Sequence, residues 1–346
     1  MPLSSKILTL VIPCFNVENK IEVLLLSLDK LLNSKCTNNV EVIFIDDGST
    51  DDTNSILVNF SKKFSNTTVI KGLHEGVSVA RNIGISKAKS KYISFIDADD
   101  NFIVESMVKV IAILKKDNYD IFNVSSKVKY NRLEKSPRKI IPALFNIKNA
   151  PFVEEYHPGP FSKFYNLVFL KANNIKFSTN LSNGEDVQFN IDCLTQAKNV
   201  YFYNETLYLY RVGQEDSLSG KKGRNEYPKE ASTKLEYAKL LYKRKIINKN
   251  TLQFFLLDIM LSKFTLFYGY HDVKEFYKEE IKDIHLIKDL FYKVKESNSL
   301  YFFKESKRIL LRVLVYIPFP ASLYITKLLV KLRKEKNMRK IKWVEI

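Results

Sequence analysis

Two clusters of carboxylates in this chain have the surroundings that chemistry on a phosphorylated ligand requires. Asp97-Ala98-Asp99-Asp100 follows the apolar run Tyr92-Ile93-Ser94-Phe95-Ile96, and Asp46-Asp47 follows Val42-Ile43-Phe44-Ile45. Like charges this close repel one another, and a hard divalent cation is the usual remedy. Magnesium or manganese held by one or two carboxylates keeps its other positions for water and substrate phosphates, so the implied partner is a diphosphate. A single Asp-x-Asp more often caps the next helix. Two acidic clusters that both close a buried strand favour the ligand.

The elements that position them are legible in the first hundred residues. Leu8–Ile12, Val42–Ile45 and Tyr92–Ile96 read as buried strands, with a weaker one near Val69-Ile70. Between the first two, Ile21, Leu24, Leu25, Leu28, Leu31 and Leu32 recur at helical spacing. Further helices are expected over about 52–63, 77–88 and 105–116. Alternating strands and helices make a parallel α/β sheet, whose ligands bind beyond the carboxyl ends of the strands. The acidic clusters lie at those ends. So does Pro13-Cys14-Phe15-Asn16, which contains no glycine and so lacks the Gly-x-Gly-x-x-Gly of nicotinamide and flavin enzymes. Residues 125–180 are less regular and hold an aromatic loop from Tyr156 to Tyr165; from about residue 225 the pattern turns helical.

Composition narrows the classes. The 346 residues are 45% hydrophobic, enough for a packed core and too many for a disordered chain. Cys14, Cys36 and Cys193 have neither metal-ligand nor redox spacing, and the four histidines form no ligand or triad pattern. The net charge of +17 is uneven: residues 1–220 hold 26 Lys and Arg against 24 Asp and Glu, residues 221–346 hold 29 against 14. Ile7–Ile12 is too short for a signal-peptide core, so a cytoplasmic location is expected. Val313–Thr326, interrupted by Pro318 and Pro320, is too short to span a bilayer. The segment Lys307–Ile346, basic and interleaved with Leu, Val, Ile and Trp343, has the composition of one lying peripherally on the anionic inner face of the cell membrane.

Four motifs in order, Val11-Ile12-Pro13-Cys14-Phe15-Asn16, Ile45-Asp46-Asp47-Gly48-Ser49-Thr50-Asp51, Gly76-x-x-x-Ala80-Arg81-Asn82-x-Gly84 and Phe95-Ile96-Asp97-Ala98-Asp99-Asp100, resemble the family 2 glycosyltransferases of the GT-A fold. The resemblance covers about residues 6–220 and implies a Rossmann-like mixed α/β sheet with helices on both faces, with a helical, basic region over 221–346. It implies that Pro13, Phe15 and Asn16 line the nucleotide pocket and that Asp46 and Asp47 meet the uracil and ribose of a UDP-sugar. Arg81 would lie near the nucleotide or diphosphate. Asp97 and Asp99 would be the Asp-x-Asp pair beside donor and metal, with Asp99 the direct ligand of Mn2+ or Mg2+.

Asn183-Gly184-Glu185-Asp186-Val187 is similar to the family's Glu-Asp motif near the acceptor. Inversion at an anomeric carbon needs a carboxylate that removes the acceptor hydroxyl proton, and Asp186 is the candidate base, with Glu185 shaping the acceptor pocket. Tyr208-x-Tyr210-Arg211 followed by Ser217-x-Ser219 resembles the element that closes over the donor phosphates, where Arg211 would neutralise the leaving diphosphate. The expected reaction is inverting transfer of a hexose or N-acetylhexosamine from a UDP-sugar to an acceptor hydroxyl, on a lipid-linked oligosaccharide of surface-polysaccharide or lipopolysaccharide assembly. The competing classes are a nucleic-acid-binding protein using the basic third, which the apolar run beside it disfavours, and an inactive scaffold of the same fold.

Overall fold

A computed structural model describes residues 6–145, 151–181, 184–212, 237–249, 251–252, 256 and 342–345. The chain begins with β1 (Leu8–Cys14), α1 (Glu22–Leu32), β2 (Val40–Asp46), α2 (Thr53–Ser61), β3 (Thr67–Lys71), α3 (Val77–Lys87) and β4 (Tyr92–Phe95). These are the strands and helices that the apolar periodicity predicts, including the weak strand at Val69-Ile70. All residues of β4 and six of the seven in each of β1 and β2 are buried, because helices cover both faces of the parallel strands. Leu24, Leu28, Leu31 and Leu32 form the buried stripe of α1.

The short strand β5 (Asn101–Phe102) leads to α4 (Val104–Lys116), then β6 (Ile121–Val124), the edge strand β7 (Arg132–Glu134) and a 3-10 stretch at Pro137–Phe145. After it come β8 (Lys163–Asn166), α5 (Leu167–Ala172), α6 (Glu185–Gln196), β9 (Val200–Tyr203), β10 (Tyr208–Val212) and β11 (Lys342–Glu345). The main sheet runs β3-β2-β1-β4-β8-β6-β9-β7. Its first four strands are parallel, and β8 enters antiparallel to both β4 and β6. This is the mixed α/β sheet of the GT-A fold. A second sheet of three strands, β11-β10-β5, lies after the β4 turn.

One close approach fixes the distance between α3 and the sheet. A Cβ on Gly84 would stand 2.3 Å from Val11 Cγ1, so only glycine lets the helix settle on β1 at this depth. Arg81, one turn earlier, is thereby sunk to 2% exposure at the carboxyl edge of the sheet.

The structure departs from the sequence reading in two places. Lys163, Phe164 and Tyr165, read as part of an aromatic loop, are residues of the fully buried strand β8. The prolines and glycine just before them mask that strand, and its four residues are too few to show a period. Lys342–Glu345, read as the end of a membrane-lying segment, instead pair antiparallel with β10, with Trp343 opposite Arg211. Residues 307–341 lie outside the described residues, as do Ser217 and Ser219 and most of the expected late helical region. Packing continues past residue 220: Ala238, Leu241 and Ile247 are buried in the same core as Ile191 and Leu194 of α6, and the Tyr237 hydroxyl donates to Asp192 at 2.9 Å.

Candidate functional site

Parallel register brings three loops to one edge. Cys14 lies opposite Asp46 across β1 and β2, and the Ile96 N–H donates to the Val11 carbonyl, so the turns after β1, β2 and β4 are neighbours. The first two are stitched together by their own side chains. The Asn16 N–H donates to Ser49 Oγ at 3.0 Å and its Oδ1 accepts from the Thr50 N–H at 2.9 Å, with Asn16 itself at φ 50°. Asp46 is fully buried; its carboxylate accepts from the Ser49 N–H at 3.0 Å and from Asn54 Nδ2 at 2.8 Å. Asp47 accepts from the N–H groups of Glu75 and Gly76 at 2.9 and 2.7 Å, which ties the β3–α3 loop to the same edge. Pro13, expected in the loop, is instead a half-buried residue of β1 opposite Ile45, and the Phe15 ring stacks on His74 with centroids 4.2 Å apart. Asp46 and Asp47, expected at uracil and ribose, thus have oxygens engaged in shaping the loops.

Arg81 is the hub. Its NH2 donates to Asp97 at 3.1 Å, and its NH1 donates to Asp186 at 2.6 Å and reaches Glu185 at 3.5 Å. One guanidinium therefore joins the Asp-x-Asp turn to the first turn of α6, about ninety residues later in the chain. The Phe177 ring lies 5.1 Å beneath it, and Phe177 stacks on Phe189 of α6 with centroids 3.9 Å apart. The neighbouring carboxylates hold Arg81 firmly protonated against the pull of burial. Burial raises the Asp186 carboxyl, Arg81 pulls it back down and Asp97 pushes it up again. A carboxyl raised in this way binds a proton more tightly than an exposed aspartate, while Arg81 favours its ionised form.

Burial, with Asp186 beside it, pushes Glu185 up to about 7. A carboxyl that binds its proton more tightly in the folded chain adds stability that is complete below the ordinary carboxylate range and is lost as pH rises through the folded pKa. Glu185→Gln is permanently neutral, so its advantage in Tm over the unaltered protein should grow between about pH 5 and about pH 8. Thermal melts of the two proteins across that range check this; parallel curves would contradict it.

Asp100 has a role that its position beside Asp99 does not advertise. Its carboxylate accepts from the Tyr208 hydroxyl at 2.6 Å and from the Arg211 N–H at 2.8 Å, and the same hydroxyl accepts from the Asp97 N–H at 3.2 Å. Strand β10 is thereby clasped to the Asp-x-Asp turn, and burial with Asp97 nearby pushes Asp100 up to about 8. The signal for it in the sequence was Tyr208-x-Tyr210-Arg211, which does not name the acid it meets. Asp99 is raised by burial and by Asp97, while the charges of Lys20 and Arg211 lower it.

Among the described residues no three His, Cys, Asp or Glu side chains converge as a ready-made metal cage. Asp97 and Asp99 offer hard oxygen donors in a crowded acidic turn, the set that suits magnesium or manganese completed by substrate phosphates. The residues fit such an ion. The cysteines are all buried, and burial raises each thiol, so none is a poised nucleophile.

The chain has counterparts among known sequences and folds. The family described as Glycosyl transferase family 2 matches residues 9–174. An uncharacterized glycosyltransferase, EpsJ of Bacillus subtilis, is 24% identical over 59% of this chain and 61% of its own length. The poly(ribitol-phosphate) beta-glucosyltransferase of Bacillus spizizenii is 29% identical over 60% of this chain and 32% of its own. The chain thus spans between about a third and three-fifths of the length of these relatives. The crystal structure of Staphylococcus aureus TarS 1–349 in complex with UDP-GlcNAc superposes with a TM-score of 0.56 at 18% identity, covering 96% of this chain and 93% of that one. The stretch matched by that family, residues 9–174, takes in both acidic turns and Arg81.

Proposed function

We propose that the protein is an inverting glycosyltransferase that moves a hexose or N-acetylhexosamine from a UDP-sugar to a hydroxyl of a cell-surface polymer or of its lipid-linked precursor. The observation that carries this reading is the Arg81 bridge, which ties the Asp-x-Asp turn of the donor side to the Glu185-Asp186 pair of the acceptor side. A transfer reaction needs those two halves held in one frame.

Pro13, Phe15, Asn16, Asp46 and Asp47 form or brace the nucleotide side in this reading. Asp97 and Asp99 would hold a divalent cation, which when bound stabilises charge on the departing diphosphate. Asp186 takes the proton of the attacking hydroxyl, and Arg81 keeps Asp186 ionised and aimed. Glu185 borders the acceptor. Arg211, clasped beside Asp99 through the Asp100 bond, adds positive charge where the leaving group develops its own.

The names of the relatives support an anionic acceptor. A poly(ribitol phosphate) chain offers both hydroxyls and phosphates, and the 29 Lys and Arg against 14 Asp and Glu of residues 221–346 give it a complementary partner. The same charge also suits a peripheral position at the anionic inner face of the cell membrane, which is the second reading of that region. Among the described residues no helix is long and apolar enough to cross a membrane.

The test is UDP release from a panel of nucleotide sugars with manganese, with poly(ribitol phosphate) or membrane lipid supplied as acceptor. Release from one UDP-sugar, abolished by chelation and reduced about 10²-fold or more in Asp99→Ala, is the expected result. Turnover that survives both chelation and Asp99→Ala would remove the metal from the scheme.

A further inference from the structure

Lys163 opens strand β8 and is fully buried, yet no step above uses it. Its Nζ donates to the carbonyl oxygens of His157 at 2.8 Å, Gly159 at 2.7 Å and Phe161 at 3.3 Å, and stands 4.5 Å from the centre of the Tyr156 ring. All three ammonium protons are taken by one loop, which has turned its carbonyls inward around the charge. Burial pushes the group down to about 7, and Asp186 and Cys193 pull it back up.

The same loop is fastened from the other side by Asn190 of α6. Asn190 Nδ2 donates to the Pro158 carbonyl at 2.8 Å and to the Asp186 carbonyl one turn earlier at 3.1 Å. Its Oδ1 accepts from the hydroxyls of Tyr156 at 3.0 Å and Tyr165 at 2.9 Å. Every hydrogen-bonding position of this fully buried amide is occupied. The loop so held presents Phe161, which stacks on Tyr208 with centroids 5.0 Å apart and lies 6.0 Å from the Arg81 guanidinium.

The geometry points to Lys163 and Asn190 as positioning residues that lock loop 157–162 onto the helix carrying Asp186, so that the loop walls the acceptor side and fixes the direction of the base. The residues act through the loop and the α6 first turn and touch no reacting atom. The inference rests on the transferase reading above for its catalytic consequence and on the hydrogen bonds alone for its structural one.

Lys163→Met in the full chain keeps the aliphatic stem and removes all three donors. With Mn2+ and UDP as the probe, nucleotide binding should stay within about twofold of the unaltered protein, while UDP release from the active donor falls about tenfold or more whether water or poly(ribitol phosphate) receives the sugar. Amide exchange over residues 157–162 and the first turn of α6 should accelerate about tenfold or more, with β1 and β2 unchanged. Asn190→Ser is the second variant, for use where the methionine protein does not fold, and should show the same split. Unchanged turnover and exchange, or loss of UDP binding in step with turnover, overturns the assignment. If the unaltered protein is silent toward every donor, the transferase reading fails, and the exchange pattern of Lys163→Met then decides the loop-locking by itself.

Discussion

Arg81→Met should lower the stability of the ligand-free protein by about 3–5 kcal/mol and abolish turnover, because breaking a buried ionic cluster leaves the surviving charges without a partner. The side chain is 3% exposed and is the shared partner of Asp97, Glu185 and Asp186. Methionine preserves bulk against the Phe177 ring but leaves three carboxylates facing one another in a partly desolvated space. Arg81→Lys should rescue little, since one compact ammonium does not span two directions as the guanidinium fork does. Denaturant unfolding with and without Mn2+ checks this: the cation, drawn to the freed Asp97, should return part of the lost stability. A loss below about 1 kcal/mol would mean that the three acids do not depend on this residue.

Asp186→Asn is the variant with the largest expected effect on the chemistry alone. The amide matches the carboxylate in shape and its oxygen still accepts from Arg81 NH1, now 2.6 Å from Asp186, but it does not take a proton from an attacking hydroxyl. Removal of a general base lowers rates by about 10²–10⁴-fold, and UDP affinity with manganese should stay within about twofold, since the nucleotide side is untouched. Single-turnover sugar transfer beside calorimetric UDP binding separates the two effects. A loss in rate smaller than about tenfold would move the role of base to another carboxylate, with Glu185 the next to replace. The two variants divide the hub: one removes the frame that joins donor and acceptor halves, the other removes only the proton acceptor.

Most of the sheet and the identity of the acidic turns were legible because they rest on local regularities. Buried parallel strands read as continuous apolar runs, amphipathic helices read as a stripe, and an acidic turn at a strand end is visible in a few consecutive residues. The partnership of Arg81 with Asp97, Glu185 and Asp186 was not legible, although each residue was singled out. The resemblance implies Arg81 near the nucleotide or diphosphate, and the fold shows its guanidinium bonded to carboxylates, one of them in the Asp-x-Asp turn. Ion pairs between residues 16 and 105 positions apart depend on how deeply α3 seats on β1, and that depth is set by Gly84 meeting Val11.

Lys163 shows the same limit from the other side. Four buried residues preceded by prolines and glycine have no period to reveal a strand, and a lysine in them reads as surface until the loop carbonyls around it are seen. Asp100 reads as one more member of an acidic cluster, and only tertiary structure shows it holding Tyr208 and Arg211. The pairing of Lys342–Glu345 with β10 is beyond sequence for a related reason: a four-residue strand gains its stability from an edge more than a hundred residues away. By itself the sequence determined the α/β class, the three loops at one sheet edge, and the acidic turns that close its strands, because short-range patterns encode them. Only the tertiary structure decided which acids are free to act and which are braced, because that depends on burial and on long-range partners that no local pattern records.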